Sequence, residues 1–294
     1  MDETAVVFKG HQHWLTGMVH QANCADETPV KQGVIIIVGG PQTRVGSHRQ
    51  FVLLARFLAA HGIAVFRFDY AGIGDSDGKP SDFLTAYQDI PAAIEQFQAQ
   101  CPMLKHIALW GLCDGASAIL LYLSQHQPAV INQIFIANPW VEQPDTKAKT
   151  LLKYYYLERL LSKEFWQKLS SGRFHFSAAV TGLFTTVRGI YLPKNSCESS
   201  ASLLASNKFN QDNFVHYMGQ GLTKFNGQVH FIASGQDLVV KEFIQLLSDD
   251  SQWAQLWSQK MTSELKLAAA NHTFSCAQWR SEVENYTVNT IVQG

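Results

Sequence analysis

Three residues of this chain, Cys113, Asp237 and His272, have the types that nucleophilic chemistry on a carbonyl requires, and each stands where a run of strand-forming residues ends. Cys113 lies in Leu109-Trp110-Gly111-Leu112-Cys113-Asp114-Gly115-Ala116-Ser117-Ala118. There, an apolar run from His106 closes in G-x-C-x-G, and small and apolar residues at helical spacing follow at once. The pattern predicts a strand, a very sharp turn and a helix, with the central residue pushed to φ > 0. Its neighbours two before and two after must then be small, which Gly111 and Gly115 satisfy. A buried structural cysteine on a glycine-flanked strand end would carry the same letters, so the assignment rests on what the remaining chain supplies.

Asp237 follows Val229-His230-Phe231-Ile232-Ala233, and His272 follows the run Leu265 to Ala269. In a triad, His272 takes the Cys113 proton and later passes it to the leaving group, while Asp237 holds the imidazole tautomer and supports the imidazolium. A thiol at a helix N-terminus beside a histidine is expected to have a lowered pKa and to rest ionised. Two backbone donors are expected for the oxyanion. One is the Asp114 N–H; the other is the Gly40 N–H, in the turn after the Ile-rich strand, because Pro41 has none to give. Gln42, Arg44 and His48, with Ser47 and Arg49, begin a helix beside that turn and are candidates for contacting an anionic or sugar-like substrate, although a solvated helix start fits as well.

Plainer readings stand beside these. His272 is one of eleven histidines, and Asp237 fits a helix N-cap for Val239 onward. Glu142 and Asp145 are fallback acids, and Asp69, Asp75 and Asp77 read as turn braces. Tyr154-Tyr155-Tyr156 and Trp166 read as packing. No metal-ligand spacing and no cofactor motif is present, so the expectation is chemistry without metal or cofactor.

The elements that must position these residues follow from periodicity. Val6–Phe8 and His13–Gln21 read as an antiparallel edge. Gly33–Val38 is an unbroken β-branched run, as expected of a strand buried on both faces. A helix over Phe51–Leu58, a strand over Ile63–Phe68, a helix over 82–100 interrupted at Pro91, the strand and helix around Cys113, and a strand over Gln133–Ala137 follow. This alternation predicts an α/β fold with a mostly parallel sheet flanked by helices. From 141 to 216 no buried strand is legible, so residues 1–140 and 217–294 are expected to form the core around a mainly helical cap at 141–216. The sheet resumes at Val229, continues through a helix over Val239–Leu247 and a Trp-bearing segment over Gln252–Trp257, and ends with a strand over Leu265–Ala269 and a terminal helix from about Ser275.

Composition bounds the function. With 294 residues, 46% hydrophobic and 16% charged, the chain has material for one large core. A net charge of −1 offers no footprint for nucleic acid and no polybasic patch for a membrane, and no run is long enough to span a bilayer. The N-terminus lacks the pattern of a secretory signal. Five scattered cysteines, none in C-x-x-C, argue against disulfides or structural zinc and for a cytoplasmic location. Oligomeric state is not legible; a homodimer is compatible with it.

Gly39-Gly40-Pro41, Phe68-Asp69-Tyr70-Ala71-Gly72-Ile73-Gly74-Asp75-Ser76, the G-L-C-D-G turn, Asp237 and His272 together resemble the α/β-hydrolase superfamily over almost the whole chain. The order nucleophile, acid, histidine is that of this superfamily. More narrowly, G-G-P-Q-T-R-V-G-S-H-R-Q-F, F-R-F-D-Y-A-G-I-G-D-S and W-G-L-C-D-G-A-S-A look like the exosortase A system-associated hydrolases of the first subtype. That resemblance implies an α/β-hydrolase fold with a cap and an accessory role in making or exporting surface material. The usual serine is replaced here by cysteine, as in dienelactone hydrolases and polyester synthases, which this turn also resembles. The expected activity is hydrolysis of a small acyl ester or thioester through a Cys113 acyl-enzyme. Two alternatives remain: an acyltransferase using the same intermediate, and a non-catalytic binding protein on the same fold.

Overall fold

The computed structural model describes residues 2–23, 31–40, 42–141 and 209–294. Eight strands form one sheet: β1 (Glu3–Lys9), β2 (Trp14–His20), β3 (Gln32–Ile37), β4 (Ala64–Phe68), β5 (His106–Leu112), β6 (Ile131–Ala137), β7 (Gln228–Ser234) and β8 (Met261–Leu267). Their spatial order is β1-β2-β4-β3-β5-β6-β7-β8. The β1–β2 and β2–β4 pairs are antiparallel, and every pair from β4 to β8 is parallel. This is the mostly parallel α/β-hydrolase sheet that the sequence predicts. The unbroken apolar stretch of β3 has its reason here: it lies in the middle of the sheet, and Val34 to Ile37 are buried without residual exposure.

Helices cover both faces, and the strand register tells which. Ile36 of β3 is level with Arg67 and Trp110, whereas Ile35 is level with Phe66 and Leu109. Trp110 therefore faces one side, where it meets Phe51 of α1 (Gln50–Ala60) with ring centroids 6.0 Å apart. The terminal helix α8 (Ala277–Gln293) shares that side, its Tyr286 hydroxyl 2.6 Å from Ser263 Oγ of β8. On the other side Phe66 stacks on Phe97 of α3 (Ile90–Gln100), and Phe231 of β7 packs against Phe243 of α6 (Leu238–Asp249) and Trp257 of α7 (Ser251–Lys260).

Two elements differ from expectation. The helix over 82–100 is a short α2 (Phe83–Ala86), a 3-10 turn over Tyr87–Asp89, and α3 with Pro91 in its first turn. Proline there lacks only an N–H that has no helical partner, so the break comes ahead of it. The last strand is β8 at Met261–Leu267, not Leu265–Ala269. It is the sheet's edge, with alternately half-buried and exposed residues, so the continuous apolar run is the wrong signal for it.

The chain divides into two compact units, one of residues 1–141 with 207–294 and one of residues 142–206. The expected cap, with Glu142, Asp145, Tyr154 to Tyr156 and Trp166, lies almost entirely outside the described residues. Phe209 and Phe214, within the expected cap range, are buried in the first unit.

In that first unit, α4 (Asp114–Gln125) and α5 (Phe214–Lys224) meet at Gly221, where a Cβ would come 1.9 Å from the Leu120 carbonyl oxygen. Gly221→Ala must push the two helices apart. It is expected to lower stability by about 1–3 kcal/mol, measured by urea unfolding; an unchanged midpoint would show that the helices part freely.

Candidate active site

Because β3 to β8 are parallel, their carboxyl ends share one edge of the sheet, and Gly40, Cys113, Asp237 and His272 follow four of them. Cys113 stands between β5 and α4 with φ 61 and ψ −127. A non-glycine residue holds that conformation only where its surroundings insist on it. They do: a Cβ on Gly115 would lie 2.4 Å from the Ile37 carbonyl oxygen, and one on Gly111 would lie 2.7 Å from Ala116 N. The Cys113 N–H donates to the Ala137 carbonyl (2.9 Å), and its carbonyl accepts from the N–H groups of Ala116 (3.0 Å) and Trp140 (3.3 Å).

The acid and the imidazole meet directly. His272 Nδ1 lies 2.7 Å from Asp237 Oδ2. Asp237 is also the N-cap of α6, its Oδ1 accepting from the Val239 N–H at 3.1 Å. The capping role and the histidine partner, set against each other by the sequence, are both present, one on each carboxylate oxygen. With Nδ1 turned to Asp237, Nε2 is the imidazole nitrogen left for a reacting group.

The thiol is not in the state expected of it. Burial pushes the Cys113 pKa well up, and the charges of Asp114 and Asp237 push the same way. The Asp114 N–H favours the thiolate but does not outweigh burial and the two carboxylates. Cys113 therefore rests neutral. The expectation of a thiolate counted the helix terminus and the histidine but neither burial nor the neighbouring carboxyl.

Asp114 is the site feature that the sequence reading missed. Only its backbone N–H was expected to matter. Its side chain is drawn in against Gly39 and Gly40, where the N–H groups of Gly40, Asp114 and Gly115 act on it electrostatically. Burial raises its pKa, and those three N–H groups oppose the rise. Both donors expected for an oxyanion are thus among the groups that act on the Asp114 carboxyl.

The three candidates for substrate contact take no part in the hydrogen bonds of Asp237 and His272. Arg44 is engaged by Asp69, through both its N–H and its guanidinium, and by Asp75 at 2.8 Å. Its carbonyl accepts from Arg67 at 2.6 Å. Asp69 is wholly buried, so Arg44 neutralises a charge that would otherwise be stranded and pins the loop after β3 to the turn after β4. Gln42 Oε1 accepts from the Ser47 N–H at 3.2 Å, and His48 is exposed in a 3-10 turn with φ 54. A small cavity between α1 and α8, bounded by Trp110 and Val283, reaches Thr273 and Phe274 but not Cys113, Asp237 or His272. Among the described residues no three His, Cys, Asp or Glu side chains gather as metal ligands, and no helix is long and apolar enough to cross a membrane.

Residues 30–180 match the family described as serine aminopeptidase, S33. The chain belongs to that family of hydrolases. The match takes in Gly40 and Cys113 but ends before Asp237 and His272, and cysteine occupies the elbow of a family whose name specifies serine. Among solved structures, the fold resembles an esterase of Pyrococcus furiosus (TM-score 0.60, 15% identity, covering 99% of this chain and 90% of that one). It also resembles the ferulic acid-bound Est1E of Butyrivibrio proteoclasticus (TM-score 0.62, 15% identity, 98% of each chain). At these identities the likeness is one of fold. A polyketide transferase of a Penicillium species is 38% identical over 72 residues, 23% of this chain and 24% of that protein, so the matched region spans about a quarter of the relative's length.

The charge on Asp114 has two consequences. A carboxyl whose pKa is raised by folding costs stability above that raised pKa and nothing below the pKa of the unfolded chain. Asp114→Asn is therefore expected to raise the melting temperature near pH 8 and to lose that advantage as the pH falls toward 4. With the charge gone, Cys113 should also react with iodoacetamide severalfold faster at pH 8. A melting difference independent of pH, together with unchanged alkylation, would remove Asp114 from the electrostatics of the thiol.

Proposed function

We propose that this hydrolase cleaves small acyl esters or thioesters through a covalent acyl-enzyme on Cys113, with His272 as base and acid and Asp237 as its orienting carboxylate. The observation that carries the reading is the 2.7 Å bond from His272 Nδ1 to Asp237, made at the same sheet edge that raises Cys113 on a strained turn. Because the thiol rests neutral, its proton leaves as sulfur attacks the acyl carbonyl, and His272 Nε2 receives it. The oxyanion formed on the carbonyl oxygen is met by the N–H groups of Gly40 and Asp114. Collapse of the tetrahedral adduct breaks the bond to the alcohol or thiol, which departs with the proton from His272. Water, deprotonated by the same imidazole, then attacks the thioester and frees Cys113.

Thioesters suit this nucleophile, because exchange of one thioester for another is close to thermoneutral. The esterase neighbours support an ester substrate by fold, and the motifs shared with exosortase A system-associated hydrolases support a role in making or exporting surface material. Acyl transfer is the second reading, favoured by the local likeness to a polyketide transferase. It differs only in the acceptor that attacks the acyl-enzyme, a sugar or amine in place of water.

A panel of p-nitrophenyl esters and acyl thioesters, with and without sugar acceptors, separates the two readings. Hydrolysis without acceptor is expected, along with an intact-mass increase equal to one acyl group. Cys113→Ala should lose both, and Cys113→Ser should retain weak activity. Product formed only with an acceptor would favour transfer, and equal rates in all three proteins would eliminate the covalent intermediate.

A further inference from the structure

Asn138 follows β6 immediately, is fully buried, and has φ 42, a left-handed conformation that asparagine tolerates better than most residues. Its amide has every donor and acceptor engaged. Nδ2 donates to Ser234 Oγ (2.8 Å) and to the His272 carbonyl (3.0 Å), while Oδ1 accepts from the Ser234 N–H (3.0 Å). Ser234 Oγ in turn donates to Asp237 Oδ2 at 3.4 Å, the oxygen that also meets His272 Nδ1. The bonds close a ring that leaves His272 through its imidazole, passes Asp237, Ser234 and Asn138, and returns to the His272 carbonyl. On either side of Asn138 the backbone holds the nucleophile: Ala137 accepts from the Cys113 N–H, and Trp140 donates to the Cys113 carbonyl.

We propose that Asn138 is a positioning residue for the reaction, fixing the loop that carries His272 against the turn that carries Cys113. This rests on the triad reading given above. Its reach is what makes it suited to the task. The imidazole and the thiol come from segments 159 positions apart in the chain, and residues 137–140 hold hydrogen bonds to both. The side chain must supply two donors and one acceptor in one plane from a left-handed backbone. Aspartate keeps the shape but has no donor, and it sets an oxygen against the His272 carbonyl. Glycine accepts the backbone conformation and removes only the amide.

The test uses Asn138→Gly and Asn138→Asp in the full chain, with p-nitrophenyl acetate as substrate and, independently of any substrate, the pH profile of Cys113 alkylation by iodoacetamide. A misplaced base costs rate more than binding, so kcat is expected to fall about 10–100-fold with KM changed less than about twofold. The pH profile of Cys113 alkylation is expected to change in both variants, and in the same way as in His272→Ala. Wild-type kcat and a wild-type profile in Asn138→Gly, beside a defective His272→Ala, would overturn the positioning role and leave the triad standing. A wild-type rate and profile in His272→Ala would overturn the triad and this proposal with it. Where Asn138→Gly does not fold, Ser234→Ala breaks the same ring. A severalfold loss of kcat supports the role, and an unchanged kcat overturns it.

Discussion

The turn at Cys113 is the constraint from which the rest of the site follows. A left-handed backbone at a residue with a side chain costs roughly 1–2 kcal/mol. It survives because β5 and α4 are packed so closely to β3 that Gly111 and Gly115 leave no room for relaxation. Three strands share the load: the elbow continues β5, its small residues fit against β3, and its N–H is held by the end of β6. The sheet itself fixes the position of this turn.

Strain elsewhere follows the same geography. Among the described residues, the non-glycine positions with positive φ are His48, Arg49, Cys113, Asn138 and Phe274. All five lie in connections that leave the carboxyl ends of parallel strands β3, β5, β6 and β8. At Asn138 and Phe274, which are buried, and at Cys113, hemmed in by Gly111 and Gly115, tight packing holds the unfavourable backbone in place, whereas His48 and Arg49 lie exposed in their turn. Arg44 belongs to this bracing. By joining Asp69 and Asp75 it fastens the loop that follows Gly40 to the turn after β4.

The pairing of His272 with Asp237 and the sharp turn at Cys113 were legible in the sequence because each residue announces itself locally: small residues around Cys113, a capping aspartate after β7, a histidine after the last apolar run. The central strands were legible because burial on both faces leaves continuous β-branched runs. What escaped depends on distance in the chain. Asn138 reads as an ordinary strand ending before Pro139, and only three-dimensional proximity to Ser234 and the His272 carbonyl gives it a purpose. The protonation of Cys113 escaped for a related reason. A helix N-terminus is visible in a string of letters, whereas enclosure of the sulfur and the direction of the Asp114 carboxyl are not.

The neutral thiol bears on how cysteine and serine chemistry relate within one family. A cysteine resting as thiolate needs its histidine mainly as a counter-ion, and the proton is gone before substrate arrives. Here burial and Asp114 keep the proton on sulfur, so in the proposed mechanism the histidine must remove it during attack, as it must for a hydroxyl. The Asp237–His272 pair then does the same work for either atom, and the scaffold of a serine hydrolase needs no rearrangement to carry cysteine. The substitution alters the intermediate instead. An acyl group on sulfur is more open to attack than one on oxygen, which favours onward delivery to water or to a better acceptor. In the proposed mechanism the choice between hydrolysis and transfer therefore falls to whatever admits the second nucleophile, and the elbow serves either.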